Sequence, residues 1–177
     1  SNLVGNAPLE QAMQVEFDKL GPVMFDNEDA AFADEIRKTL TADDIAASFQ
    51  RAGRETPPDL PLCDFVAPLE RPSIGGEGST DVGDVSWVTP TVQARVATCA
   101  VGTPFHTWQT VAQGKAPAAH KGMIHAAKVM AATATHLINS PETLKAARDV
   151  HDQRQSTTPY VCPISIDQKP PVVEQPH

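Results

Sequence analysis

Eight proline and glycine residues fall between positions 54 and 79: Pro57, Pro58, Pro61, Pro68, Pro72, Gly75, Gly76 and Gly78. Proline fixes φ and has no amide hydrogen to donate, and glycine is the most costly residue to order, so neither a helix nor a strand ladder can run through such a stretch. The sequence therefore predicts a long irregular loop over 54–79 that separates a leading helical third from the rest. Loops of that length are uncommon in compact domains and are often functional, so the residues at its end, "GSTDVGDVSW" (78–87), merit close reading.

The segment before the loop reads as helix. Asn6 is placed to cap a helix with Pro8 in its first turn and with Leu9, Met13, Phe17 and Leu20 on one stripe, ended by Gly21. A second pattern follows Asp26 and Asn27, with Phe32, Ile36 and Leu40 at four-residue spacing. Thr41 caps a third through Ile45 and Phe49, closed by Gly53. Each is amphipathic and needs a surface to pack on.

Behind the loop, "TVQARVATCAV" (91–101) is short and rich in β-branched and small residues, which predicts a mostly buried strand ending at Gly102. His120 to Ile138 forms an alanine-rich helical pattern with Met123, Ala127, Met130, Ala134 and Leu137 on one face, small enough to pack closely on a sheet. Ser140, Pro141, Glu142 and Thr143 start another helix. "PYVCPISI" adds an extended segment, and residues 167–177 form a loose tail.

Composition narrows the function. With 177 residues, 41% of them hydrophobic, the chain can bury the core of a single domain. A net charge of −8 opposes a nucleic-acid partner, because phosphate binding needs clustered cations. No apolar run is long enough to span a bilayer and no secretory leader is visible, so the expectation is a soluble, cytoplasmic protein without a membrane partner. Cys63, Cys99 and Cys162 are odd in number, widely spaced and without a CxxC, which argues against a disulfide framework and against a zinc knuckle.

Six histidines are present, at 106, 120, 125, 136, 151 and 177, with no HExxH pair. His106, in "GTPFHTWQ" (102–109), follows the expected strand, where sites gather in open α/β sheets. It could equally be a metal ligand, a general base or a plain loop histidine. His120 opens a helix, a position that disfavours an imidazolium but tolerates a neutral, metal-bound ring. Asp81 and Asp84 sit three apart in a glycine-containing turn and could bind a metal, orient a histidine, or simply cap their own backbone. Ser79 and Ser86 lack a GxSxG elbow and a neighbouring base, and "GGEG" (75–78) lacks both the spacing and the lysine of a phosphate loop.

Taken in order, "STDVGDVSWVTPT", "GTPFHTWQ" and "HKGMIHAAKVMA" resemble the C-terminal part of the dinuclear-metal amidohydrolases and peptidases related to aminoacylase, the auxin-conjugate hydrolases and glutamate carboxypeptidase. The resemblance runs from about residue 3 to residue 165. It implies an α/β fold, the C-terminal half of a zinc-peptidase-like catalytic domain, helix-rich with a few strands of a mixed sheet. His106 corresponds to the last metal-binding histidine. Thr107 followed by Trp108 departs from the usual His, small residue, Pro pattern, which leaves His120 as the second candidate. Asp81, Asp84, Ser86 and Thr103 would be substrate-binding or supporting groups.

The resemblance further implies two Zn or Mn ions in the complete enzyme, a glutamate base and an amide substrate such as an N-acyl amino acid or p-aminobenzoyl-glutamate. The other ligands, the base and a lid domain would come from an N-terminal half that these 177 residues do not contain. On that reading the chain binds no metal tightly alone, hydrolyses nothing alone and tends to self-associate, while its parent is a homodimer or works with a second subunit. A non-catalytic helical binding module, docking a partner through the proline- and glycine-rich loop, is the alternative.

Overall fold

A computed structural model describes residues 1–54, 60–70 and 80–169. Seven helices follow one another among these residues: α1 (Ala7–Leu20), α2 (Asn27–Arg37), α3 (Ala42–Arg51), α4 (Val82–Val88), α5 (Trp108–Gln113), α6 (Pro117–Ile138) and α7 (Pro141–Thr157). No strand occurs among the described residues, which corrects the expected α/β class with its mixed sheet.

The correction centres on residues 91–101. A strand needs a neighbour to share its ladder, and this stretch has none; the amides at its end are taken elsewhere. Ala100 donates its N–H to the side chain of Gln113 at 2.7 Å, and Val101 donates to the carbonyl of Pro61 at 2.9 Å. The β-branched composition thus gives an extended, half-buried segment covered by a helix.

That helix is α6, and Gly122 fixes how near it comes. A Cβ at position 122 would lie 2.1 Å from the carbonyl oxygen of Ala97 and 2.8 Å from the Thr98 methyl. The buried face accordingly runs through Ala118, Gly122, Val129 and Thr133. The expected packing face is turned away: Met123 and Met130 are 61% and 54% exposed. Hydrophobicity alone favoured the methionines, but close approach selects the smallest side chains.

The helix starts follow sequence chemistry closely. Asn6 is buried, accepts the N–H of Leu9 at 3.4 Å and donates through Nδ2 to the carbonyl of Ala147 at 2.9 Å. One amide therefore caps α1 and ties it to α7. Asp26 and Thr41 form capping boxes with Asp29 and Asp44. Pro141 opens α7 as expected, although Ser140 makes no side-chain capping bond.

Helix α1 packs on both α6 and α7. Across the first contact, buried Glu16 meets His136 Nδ1 and Lys19 Nζ, each at 2.7 Å, and these neighbours, Lys19 foremost, hold its carboxyl below the usual range. An apolar cluster, Ala33, Ile36, Leu62, Ala100 and Ala118 with Phe25 against it, joins α2, the described part of the loop, the segment before His106 and α6.

Lys121 anchors α6 to the start of α2 by reaching both Asp26, at 2.6 Å, and Asp29. Its ammonium is the main cause that holds the Asp26 carboxyl down at about 2, against an ordinary 3.8. A depressed carboxylate stabilises the fold above its unfolded pKa and loses that contribution as pH falls through the folded value, here between about 3.8 and about 2. Lys121→Met should move the Asp26 titration, followed by carboxyl carbon NMR, upward, while the amides of Glu28 and Asp29 keep it below 3.8. Gly122→Ala should cost about 1–3 kcal/mol in denaturant unfolding, because backbone, not a flexible side chain, must give way.

Candidate functional site

The turn between residues 100 and 107 carries His106, and a buried polar network shapes it. Gln113, 3% exposed, accepts the Ala100 N–H through Oε1 and donates through Nε2 to Thr103 Oγ1 and to the Gln109 carbonyl, both at 3.0 Å. The Thr103 hydroxyl donates to the Ala100 carbonyl at 2.7 Å. On the far side, the hydroxyls of Thr107 and Thr110 both donate to the Pro104 carbonyl, at 2.8 and 2.7 Å. Side-chain hydrogen bonds thus converge from both sides on backbone that otherwise forms no repeating structure.

The chain enters through Gly102 at φ +96, where a Cβ would press on Ile45, 2.7 Å from its side chain and 3.0 Å from its Cα. It leaves through His106 at φ +63, the only non-glycine residue with positive φ among those described. A β-carbon in the left-handed region is strained, and such residues persist where surrounding structure over-determines them, often at functional sites. The His106 ring is exposed and has no hydrogen-bond partner among the described residues, with Phe105 and Trp108, 76% and 59% exposed, beside it in sequence.

The other expected residues do not gather around it. His120 is exposed in the first turn of α6. Asp81 is exposed before α4 and makes no capping bond. "GDVSW" is a helix, not the expected turn, because α4 is clamped from two sides. From one side, Ser86 Oγ accepts the Val4 N–H at 2.9 Å and donates to the Gly83 carbonyl at 2.6 Å, while Trp87 Nε1 donates to the Asn2 carbonyl. From the other, Gln155 and His151 reach the Trp87 carbonyl, and Tyr160 stacks on Trp87 with its hydroxyl donating to Asp84 at 2.9 Å.

The Ser1 side chain first, then the Tyr160 hydroxyl, and after them the Ser1 amino group at 3.2 Å hold the Asp84 carboxyl below the usual range, and Asp84 in turn pushes the Tyr160 phenol up. Asp84 and Ser86 are therefore occupied by the N-terminal segment, with Tyr160 beyond α7 also on Asp84, and Thr103 by Gln113. Ser79 and the "GGEG" stretch lie outside the described residues.

Among the described residues no three His, Cys, Asp or Glu side chains converge as a metal-binding group. His106 fits a metal as one exposed, uncommitted imidazole. A cavity of about 320 Å³ opens elsewhere, between α1, the 63–69 segment, residues 91–97 and His125, and none of the candidate residues lines it. No described helix is long and apolar enough to cross a membrane. The residue that sequence reasoning missed is Gln113; the second glutamine of "WQTVAQ" gives no signal that it will be buried as a hub.

Comparison with known proteins adds the decisive likeness. Over 93% of its length the chain is 40% identical to one of the subunits of p-aminobenzoyl-glutamate hydrolase from Escherichia coli (strain K12). The chain is homologous to a segment of that hydrolase. It spans 36% of the length of the E. coli protein. No family model and no solved structure matches it.

Gln113→Ala should remove the bonds to Ala100 and Thr103 at once, leaving the buried Ala100 amide without its side-chain acceptor. Unfolding free energy should drop by about 1–3 kcal/mol, and amide exchange at Ala100 and Thr103 should accelerate more than exchange within α1 or α6.

Proposed function

We propose that this chain forms part of a metal-dependent amidohydrolase that cleaves the amide of N-acyl amino acids such as p-aminobenzoyl-glutamate, acting in the cytoplasm. The observation that carries the proposal is the 40% identity to a hydrolase named for that substrate, continuous enough to cover 93% of the chain. The left-handed, uncommitted His106 on its braced turn supports the choice of residue.

In this reading His106 would hold one of two Zn or Mn ions through an imidazole nitrogen, and the ions, when bound, would supply a Lewis acid for the amide carbonyl and an activated water. Gln113 and Thr103 act as positioning residues, since they fix the turn on which that nitrogen is presented. Asp84 and Ser86 hold α4 to the first residues and to Tyr160 and so contribute to shape, not to chemistry. The exposed rings of Phe105 and Trp108 leave apolar surface next to His106 for the acyl part of a substrate. One imidazole cannot assemble a two-metal site, so the chain alone binds metal weakly and hydrolyses nothing. The E. coli relative is named as one subunit of its hydrolase, which supports a working enzyme of more than one chain.

The test supplies this chain, with Zn or Mn, alongside the part of the E. coli protein outside the matched segment, and follows hydrolysis of p-aminobenzoyl-glutamate. Activity should need both pieces, fall by about three orders of magnitude or more with His106→Ala, and survive His120→Ala. Full activity in His106→Ala with loss in His120→Ala would transfer the ligand role to His120. Full activity in both, or turnover unaffected by chelation, would remove the proposal.

A further inference from the structure

Helix α6 is apolar on two sides. One side is buried through Gly122 and Val129; the other carries Met123, Ile124, Met130 and Ile138, between 54% and 76% exposed, with Ala127 and Ala134 open among them. The outer face of a surface helix is ordinarily polar, and a helix that is hydrophobic all round is ordinarily buried all round. From Pro117 to Ile138 there is no acidic residue. Of its two lysines, Lys121 is engaged with Asp26 and Asp29, and Lys128 stands exposed beside the apolar face. That face covers residues 123–138, or about 24 Å of helix.

The order of its side chains describes what would fit it. Met123, Ala127, Met130 and Ala134 recur at spacings of four, three and four, the pattern of a helix–helix seam, and they alternate long with short. Set a second copy of α6 antiparallel to the first about a twofold axis, and each contact occurs twice with the partners exchanged. One register then places every long side chain of the seam on a short one: Met123 opposite the partner's Ala134, and Ala127 opposite the partner's Met130. The same register brings Lys115, just before the helix, level with the partner's Glu142, just after it. Both are exposed, and neither forms an ion pair among the described residues. Shape and charge thus agree on one alignment.

We propose that this face of α6 docks on the same face of a second copy of this chain, as a twofold antiparallel helix pair in that register. The patch, about 24 Å by 10 Å on each copy, is small beside the roughly 800 Å² per partner of a standard interface, so the dimer is of micromolar strength. It uses neither His106 nor the turn that carries it, so it stands or falls independently of the hydrolase reading.

Sedimentation equilibrium of this chain should show monomer and dimer exchanging with a Kd of about 10–100 µM. Ala127→Glu and Met130→Lys should each weaken the dimer at least about tenfold, because each sets a charge in the apolar seam. Both positions are exposed, so the far-ultraviolet circular dichroism should not change. Mixed in equal amounts, the two variants should recover a dimer within about threefold of the original strength, since the register sets the new carboxylate on the new ammonium and leaves the other central pair unaltered. The unaltered chain decides whether a dimer exists whatever the variants do. Monomer up to about 500 µM, a dimer that Ala127→Glu leaves intact, or no recovery on mixing overturns the proposal, and the first of these would leave the face to a different partner.

Discussion

Gln113 links parts of the molecule that have little else in common. Among the described residues its carboxamide is the only acceptor given to the Ala100 amide at the end of the 91–101 segment, and its other end steadies Thr103 in the turn. Remove it and the segment covered by α6, the turn bearing His106 and the short helix α5 lose their shared reference point. A side-chain amide can do this because it donates and accepts at fixed separation, whereas a hydroxyl or a carboxylate offers only part of that pairing. The cost is burial of a polar group, and the structure meets it by using both oxygen and nitrogen.

Local chemistry in the sequence was a good guide to helix starts and a poor guide to what lies between helices. Asn6, Asp26 and Thr41 cap as their residue types dictate, because a cap is decided within three or four residues. The strand expected over 91–101 failed for the opposite reason. Strand formation depends on a partner, and the residues that meet this segment are Pro61, Gln113 and Gly122, none of which its own composition announces. The exposed methionines of α6 teach the same lesson about faces: the close contact at Gly122 overrode the more hydrophobic stripe.

The candidate residues divide in the same way. His106 was legible as a histidine at a change of chain direction, and its positive φ gives that reading a conformational basis the sequence could not supply. Asp84 and Ser86 read as chemistry because carboxylates and hydroxyls in a glycine-containing stretch suit a site. Their partners, the first few residues and Tyr160, are more than 70 positions away in the chain, so no local pattern could reveal that both are engaged in holding the architecture. A block that carries a resemblance need not be catalytic throughout; here "GDVSW" supplies attachment, and in "HKG" Lys121 supplies attachment and Gly122 clearance.

The amide of Asn6 has a consequence for how the chain is made. It caps the first helix while donating to the carbonyl of Ala147, a residue synthesised 141 positions later. Until that carbonyl emerges from the ribosome, the first helix lacks this tie to α7. Closing so large a span is entropically slow, so the leading segment must wait, incompletely docked, for the trailing one. The first and last described helices therefore consolidate together, each completing the other's attachment.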